Sequence, residues 1–171
     1  MERPGDATFQ GQPLTVIGPR LKPGDPAPDF ELLANDLSPV RLSQSAGRVR
    51  LIAAVPSLDT PVCDLEVRTF NKQLESYAGR VQAYTVSADL PFAQARWCGA
   101  AGISNVQSLS DHRDMSFGDA YGTHIRELRL EARSVFVVDP GDVIRYVEYI
   151  KEITNSPDYD AALNAVKTLL A

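Results

Sequence analysis

Two thiols, Cys63 and Cys98, are the only cysteines in the 171 residues. Thr60-Pro61-Val62-Cys63 lies where the largely apolar stretch Val49 to Val55 has ended and the turn Pro56 to Pro61 gives way to a stripe of Val62, Leu65, Phe70, Leu74 and Tyr77 at helical spacing. Cys63 is therefore expected in the first turn of a helix, among backbone N–H groups that have no intrahelical partner. Thiols in such places ionise more readily than a free thiol, whose pKa is about 8.5. Lowering a thiol from about 8.5 to about 6 raises its thiolate fraction near neutral pH by only about 14-fold, so ionisation alone does not make an efficient nucleophile. Fixed donors around the transition state must supply the rest, and Thr60, three residues before Cys63 on the same turn, is placed to give one. The plain alternative is that Cys63 is a small buried hydrophobe. The crowding of Pro56, Thr60, Pro61 and Cys63 at a strand-to-helix turn, where α/β folds commonly place ligand sites, favours a reactive thiol.

Other chemistries fit less well. Two cysteines are too few for a disulfide framework, and in a reducing compartment a bond between them is transient or catalytic. A structural Cys63–Cys98 staple remains open; it closes a loop of 34 intervening residues and would stabilise by about 4 kcal/mol. A thiol-disulfide oxidoreductase needs Cys-x-x-Cys, whereas position 60 here is Thr60. His112 and His124 match no common zinc-ligand spacing, and nothing in the sequence brings either to Cys63 for a Cys-His protease. No metal or other cofactor is expected. Asp64 and Glu66 suit the positive end of a helix dipole but oppose a thiolate beside them. Trp97, adjacent to Cys98, either shapes the surroundings of that thiol or joins the core.

The elements that must position these groups follow from pattern. Phe9 to Val16 places Gly11 between alternating apolar positions, the sign of a short N-terminal hairpin within residues 1–20. Pro23, Pro26 and Pro28 mark an extended connection. Val49 to Val55 and Val81 to Ser87 are expected as strands, the helix after the first ends at Gly79, and a second helix runs from about Pro91 through Trp97. Ser134 to Asp139 and Val143 to Ile150 form a hairpin about Pro140-Gly141-Asp142, and a last helix starts with Ser156 as N-cap and Pro157 at its first position. Strand and helix alternate, then a hairpin and helix close the chain. This is the thioredoxin-like order: an α/β fold with a central mixed sheet flanked by helices, here with an added N-terminal hairpin, in one domain spanning residues 1–171.

Pro56-Ser57-Leu58-Asp59-Thr60-Pro61-Val62-Cys63 resembles the peroxidatic motif of peroxiredoxins: Pro, three residues, Thr, two residues, Cys. Ser87-Ala88-Asp89-Leu90-Pro91-Phe92-Ala93-Gln94-Ala95-Arg96-Trp97-Cys98-Gly99 resembles the segment bearing the resolving cysteine in the thiol peroxidase subfamily, the atypical two-cysteine type, and the similarity extends over nearly the whole chain. The resemblance implies that Cys63 attacks the distal oxygen of hydrogen peroxide or an organic hydroperoxide and becomes a sulfenic acid, which Cys98 of the same chain condenses to a disulfide. It implies thioredoxin, or a similar reductant, as the electron donor and a homodimer as the assembly. It also implies that Thr60 hydrogen-bonds the thiolate and the peroxide, that Pro56 shields the sulfur from water, and that Arg133 is the active-site arginine. Taken alone, Arg133 reads as a charge at a strand edge on the surface.

The 17 Lys and Arg against 22 Asp and Glu give a net charge of −5, with no basic patch, so nucleic acid and anionic membrane surfaces are not expected as partners. The longest uncharged apolar run, Leu51 to Leu58, is too short to span a bilayer, and Met1 to Asp6 lacks the apolar stretch of a signal peptide. A soluble, cytoplasmic protein is expected.

Overall fold

The computed structural model describes residues Met1–Ala171. The chain opens with β1 (Glu2–Phe9) and β2 (Gln12–Ile17), an antiparallel hairpin in which Phe9 faces Gln12. Gln10 and Gly11 between them have φ of 50° and 81°, the left-handed pair that a tight hairpin turn needs and that glycine adopts without strain. A second, smaller hairpin joins β3 (Glu31–Leu33) to β4 (Pro39–Arg41). Then come β5 (Val49–Ala54), α1 (Pro61–Gln73), β6 (Val81–Ser87), α2 (Pro91–Ala101) and β7 (Gln107–Ser110). The remainder is α3 (Ser116–Tyr121), β8 (His124–Ile125), β9 (Leu130–Glu131), β10 (Ser134–Val138), β11 (Ile144–Tyr149) and α4 (Tyr159–Leu170).

Seven strands form the main sheet in the order β11-β10-β5-β6-β7-β3-β4. β5, β6 and β7 run parallel, joined through α1 and α2 as parallel strands require. β10 adds antiparallel to β5, and β3 adds antiparallel to β7. β5 lies near the middle and every one of its residues is buried, which explains a reading that is apolar throughout except for Arg50. Its alternation divides two cores. Leu51, Ala53 and Val55 join Val67 and Phe70 of α1 and Ala162, Leu163 and Val166 of α4 on one face. Ile52 and Ala54 join Phe117 and Tyr121 of α3, with Phe136 and Val138 of β10, on the other. Burial of each large side chain contributes about 1.5–3 kcal/mol, so this sheet is the rigid platform on which the Cys63 turn sits. Helices thus cover both faces of a mixed sheet, the thioredoxin-like arrangement expected from the order of elements.

The N-terminal hairpin is the start of a second sheet, β1-β2-β8-β9, over a small core of Ala7, Leu14, Val16, Ile125, Ala132 and Ile153. Several boundaries differ from the sequence expectation. α1 stops at Gln73, and Glu75–Tyr77 forms a separate short 3₁₀ turn before Gly79. α2 continues past Trp97 to Ala101 and ends at Gly102 in the left-handed conformation (φ 67°), the usual glycine stop. The cap of α4 is Asp158, whose carboxylate accepts from the Ala161 N–H, so Ser156 and Pro157 lie before the helix. No helix is long and apolar enough to cross a membrane.

Candidate active site

Thr60 is the N-cap of α1: its φ of −128° and ψ of 149° are extended, and its Oγ1 accepts from the Cys63 N–H at 3.4 Å. Pro61 occupies the first helical position, where a missing N–H removes nothing. The Thr60 hydroxyl itself donates to the Ser57 carbonyl at 3.2 Å, so the turn is folded on itself. Asp89, just after β6, clasps the turn from outside: its carboxylate accepts from Ser57 Oγ at 2.7 Å, from the Leu58 N–H at 2.8 Å and from Ser87 Oγ at 2.8 Å. Pro56 is buried where the chain leaves the sheet. Asp89 was not singled out by sequence reasoning, because its partners in the Thr60 turn, Ser57 and Leu58, lie some thirty residues away and no local pattern announces them.

Cys63 has no exposed surface. Arg133, between β9 and β10, is buried rather than lying on the surface, and its guanidinium is held at three points. Nε donates to the Ile153 carbonyl at 2.9 Å, Nη1 to Glu66 Oε2 at 2.6 Å and Nη2 to Cys63 Sγ at 3.1 Å. Cys63 and Glu66 are three apart on one helix face, which is how one guanidinium reaches both. Glu66 is therefore the partner of Arg133 and not a free acid facing the sulfur. Burial pushes the Glu66 carboxyl up to about 7, with Arg133 only partly offsetting it, and its second oxygen, Oε1, has no hydrogen-bond partner. Burial also works against the Arg133 charge, but Glu66 and Cys63 outweigh it and hold Arg133 above its usual range. Glu66 anchors the guanidinium at Nη1, and Nη2 presents its positive charge to the sulfur.

Asp64 is likewise occupied elsewhere: it accepts from Arg68 Nε and from Trp97 Nε1. Cys98, on α2, sits in different surroundings. It is half-buried, its Sγ is 2.8 Å from Ser108 Oγ, and burial pushes its thiol up, the Ser108 contact partly offsetting this. It lines a cavity of about 700 Å³ together with Arg48, Gln82 and Ser108, whereas another of about 490 Å³ is lined by Leu58, Asp59, Asp89 and Trp97 beside the Thr60 turn. The two thiols are free. His124 Nδ1 lies 2.7 Å from Asp119 Oδ1, and no group of three or more His, Cys, Asp or Glu side chains is placed to hold a metal ion.

A thioredoxin-like sheet carrying a buried thiol at a helix N-terminus, with an arginine against its sulfur, defines a thiol redox protein. The redoxin family model matches residues 22–163. The thiol peroxidase of Halalkalibacterium halodurans is 56% identical over 163 residues, 95% of this chain and 98% of that protein. That of Bacillus subtilis is 52% identical over 165 residues, 96% and 98% of the two chains. The solved structure of a peroxiredoxin-like protein from Aquifex aeolicus superposes with a TM-score of 0.89 at 39% identity, covering 95% of this chain and 96% of that one. The chain belongs to the redoxin family and, within it, to the thiol peroxidases.

Proposed function

We propose that the chain reduces hydrogen peroxide and organic hydroperoxides at Cys63, residues 1–171 working as one domain. The observation that carries this reading is the Arg133 fork, with Nη2 at 3.1 Å from the Cys63 sulfur and the guanidinium fixed by Glu66 and the Ile153 carbonyl. The Cys63 thiolate attacks the distal peroxide oxygen, the O–O bond breaks, and the departing oxygen takes a proton to leave as water or an alcohol. Arg133 offers fixed positive charge where negative charge develops on the peroxide oxygens. Thr60, once its hydroxyl turns from the Ser57 carbonyl, gives a second donor, and Pro56 keeps water from the sulfur. Because Cys63 has no exposed surface, peroxide entry requires a small opening of the Pro56–Thr60 turn.

Cys98 then condenses with the Cys63 sulfenic acid to form an intramolecular disulfide, and thioredoxin or a similar dithiol protein returns both thiols. Burial pushes the Cys98 thiol up, the Ser108 contact partly offsetting this. The protein works as a homodimer in the cytoplasm. Peroxide consumption coupled to a thioredoxin system tests the reading: turnover that depends on both thiols supports it, and a structural staple would consume no peroxide.

A further inference from the structure

Asp64 follows Cys63 on α1, Trp97 precedes Cys98 on α2, and these two neighbours are hydrogen-bonded to each other, with Trp97 Nε1 donating to Asp64 Oδ1 at 2.9 Å. The Asp64 carboxylate also accepts from Arg68 Nε at 3.0 Å to each oxygen, and the Arg68 guanidinium carbon lies 5.7 Å from the centre of the Trp97 ring. The residues flanking the two thiols therefore stitch the first turn of α1 to α2. This stitch depends on that turn being helical, because Asp64 and Arg68 meet only at the four-residue spacing of a helix. The thiols themselves are in separate environments, Cys63 against Arg133 and Cys98 against Ser108. Cys63 is fully buried with Arg133 on its sulfur and Cys98 Sγ is engaged by Ser108, so the specific Cβ geometry of a disulfide requires both thiols to give up these contacts.

We propose that Asp64 and Trp97 are positioning residues that hold the closed arrangement around Cys63 and set the rate of its resolution by Cys98; this rests on the peroxidase reading above. Once Cys63 is a sulfenic acid, the Cys98 thiolate attacks its sulfur, the S–S bond forms, the S–O bond breaks, and the departing hydroxide takes the proton released by the Cys98 thiol to leave as water. Opening the α1 turn for this step breaks the Trp97–Asp64 hydrogen bond. A second peroxide competes for the waiting sulfenic acid and oxidises it to sulfinic acid, its own O–O bond breaking. A firm stitch thus favours peroxide attack in the closed form and lengthens the exposure of the sulfenic acid. A weak one favours prompt disulfide formation.

The test uses the full chain in single-turnover rapid mixing with hydrogen peroxide, following sulfenic acid and disulfide at Cys63 by quench and mass spectrometry. Trp97→Phe keeps a ring packed against the core and removes the donor; it should speed disulfide formation about tenfold, the effect of one hydrogen bond to a charged group, with a smaller effect on peroxide attack. The yield of sulfinic acid at excess peroxide should fall with it. Asp64→Ala removes the same bond together with the Arg68 contacts, so it should speed disulfide formation at least as much, and the double variant should be no faster than Asp64→Ala alone; Asp64→Ala also carries the test if Trp97→Phe folds poorly. Trp97 is the only tryptophan, so in the unaltered protein its fluorescence should change with disulfide formation and not with peroxide attack. Normal sulfenic acid formation with unchanged or slower resolution in both single variants overturns the proposal while leaving the peroxidase reading intact. Absence of sulfenic acid at Cys63 in the unaltered protein overturns both.

Discussion

Arg133 Nη2 sits 3.1 Å from Cys63 Sγ across seventy residues of sequence, and this contact joins the loop before β10 to the first turn of α1. One guanidinium face is spent on Glu66 and one nitrogen on the Ile153 carbonyl, so the nitrogen aimed at the sulfur has little freedom to wander. Preorganised charge of this kind acts on a transition state without reorganisation at the moment of reaction.

Cys63→Ser should abolish peroxide turnover, and Cys98→Ser should permit one round of peroxide reduction and then stop. The asymmetry follows from position: only Cys63 lies in a helix first turn against a guanidinium. Rapid mixing with one equivalent of peroxide separates the two. A sulfenic acid on Cys98 with activity retained in Cys63→Ser would reverse the assignment.

Arg133→Ala should slow peroxide attack by about 10²–10³-fold, the loss typical of one preorganised donor. The rate constant measured against pH for both proteins checks the cause. Curves that coincide after correction for thiolate fraction would mean that Arg133 acts only through ionisation.

Thr60→Val should cost about 1 kcal/mol of stability, because the cap on the Cys63 N–H is lost. Activity should fall further than stability explains, whereas Thr60→Ser, which keeps the hydroxyl, should recover most of both. Thermal melts and peroxide kinetics on the two variants distinguish capping from substrate contact; equal activity in Val and Ser would remove Thr60 from the chemistry.

The Glu66 carboxyl, pushed by burial from 4.5 to about 7, binds its proton more tightly in the folded state than in the unfolded one. Its contribution to stability is full below about pH 4.5 and is lost as the pH rises through about 7. Glu66→Gln should therefore gain stability relative to the unaltered protein across that window, by on the order of 3 kcal/mol. Denaturant midpoints of the pair from pH 4 to 8 measure it, and a constant difference would show that Glu66 ionises as easily in the folded protein as outside it.

Disulfide formation should loosen both helix regions. Amide exchange should show lower protection in the oxidised protein around Thr60 to Glu66 and Arg96 to Gly102, with Val49 to Val55 and Val135 to Asp139 unchanged. Equal protection in both states would favour a structural staple.

Local pattern was enough to read much of this protein. The buried strands at Val49 and Val81, the tight turn at Gly11 and the helix that opens after the turn Pro56 to Pro61 follow from periodicity and from glycine and proline, all of which act within a few residues. The same locality put Cys63 in a helix first turn with Thr60 three residues before it; that Thr60 caps the helix is seen only in the structure. What tertiary structure decided was everything that depends on partners far along the chain. β3, β4, β8 and β9 are two- or three-residue strands that have too few positions to show a period and exist because a neighbouring edge pairs with them. The helix after Val81 ran longer than its pattern, since tertiary packing and Gly102 set its end. Arg133 read as a surface charge on its own, and its burial follows from Glu66, Cys63 and the Ile153 carbonyl converging on it from other elements. The acids beside Cys63 read as opponents of a thiolate; folding turned Glu66 to Arg133 and Asp64 to Arg68 and Trp97. Charge can be counted in a sequence, but which opposite charge meets it in a low-dielectric interior is fixed only when the chain closes on itself.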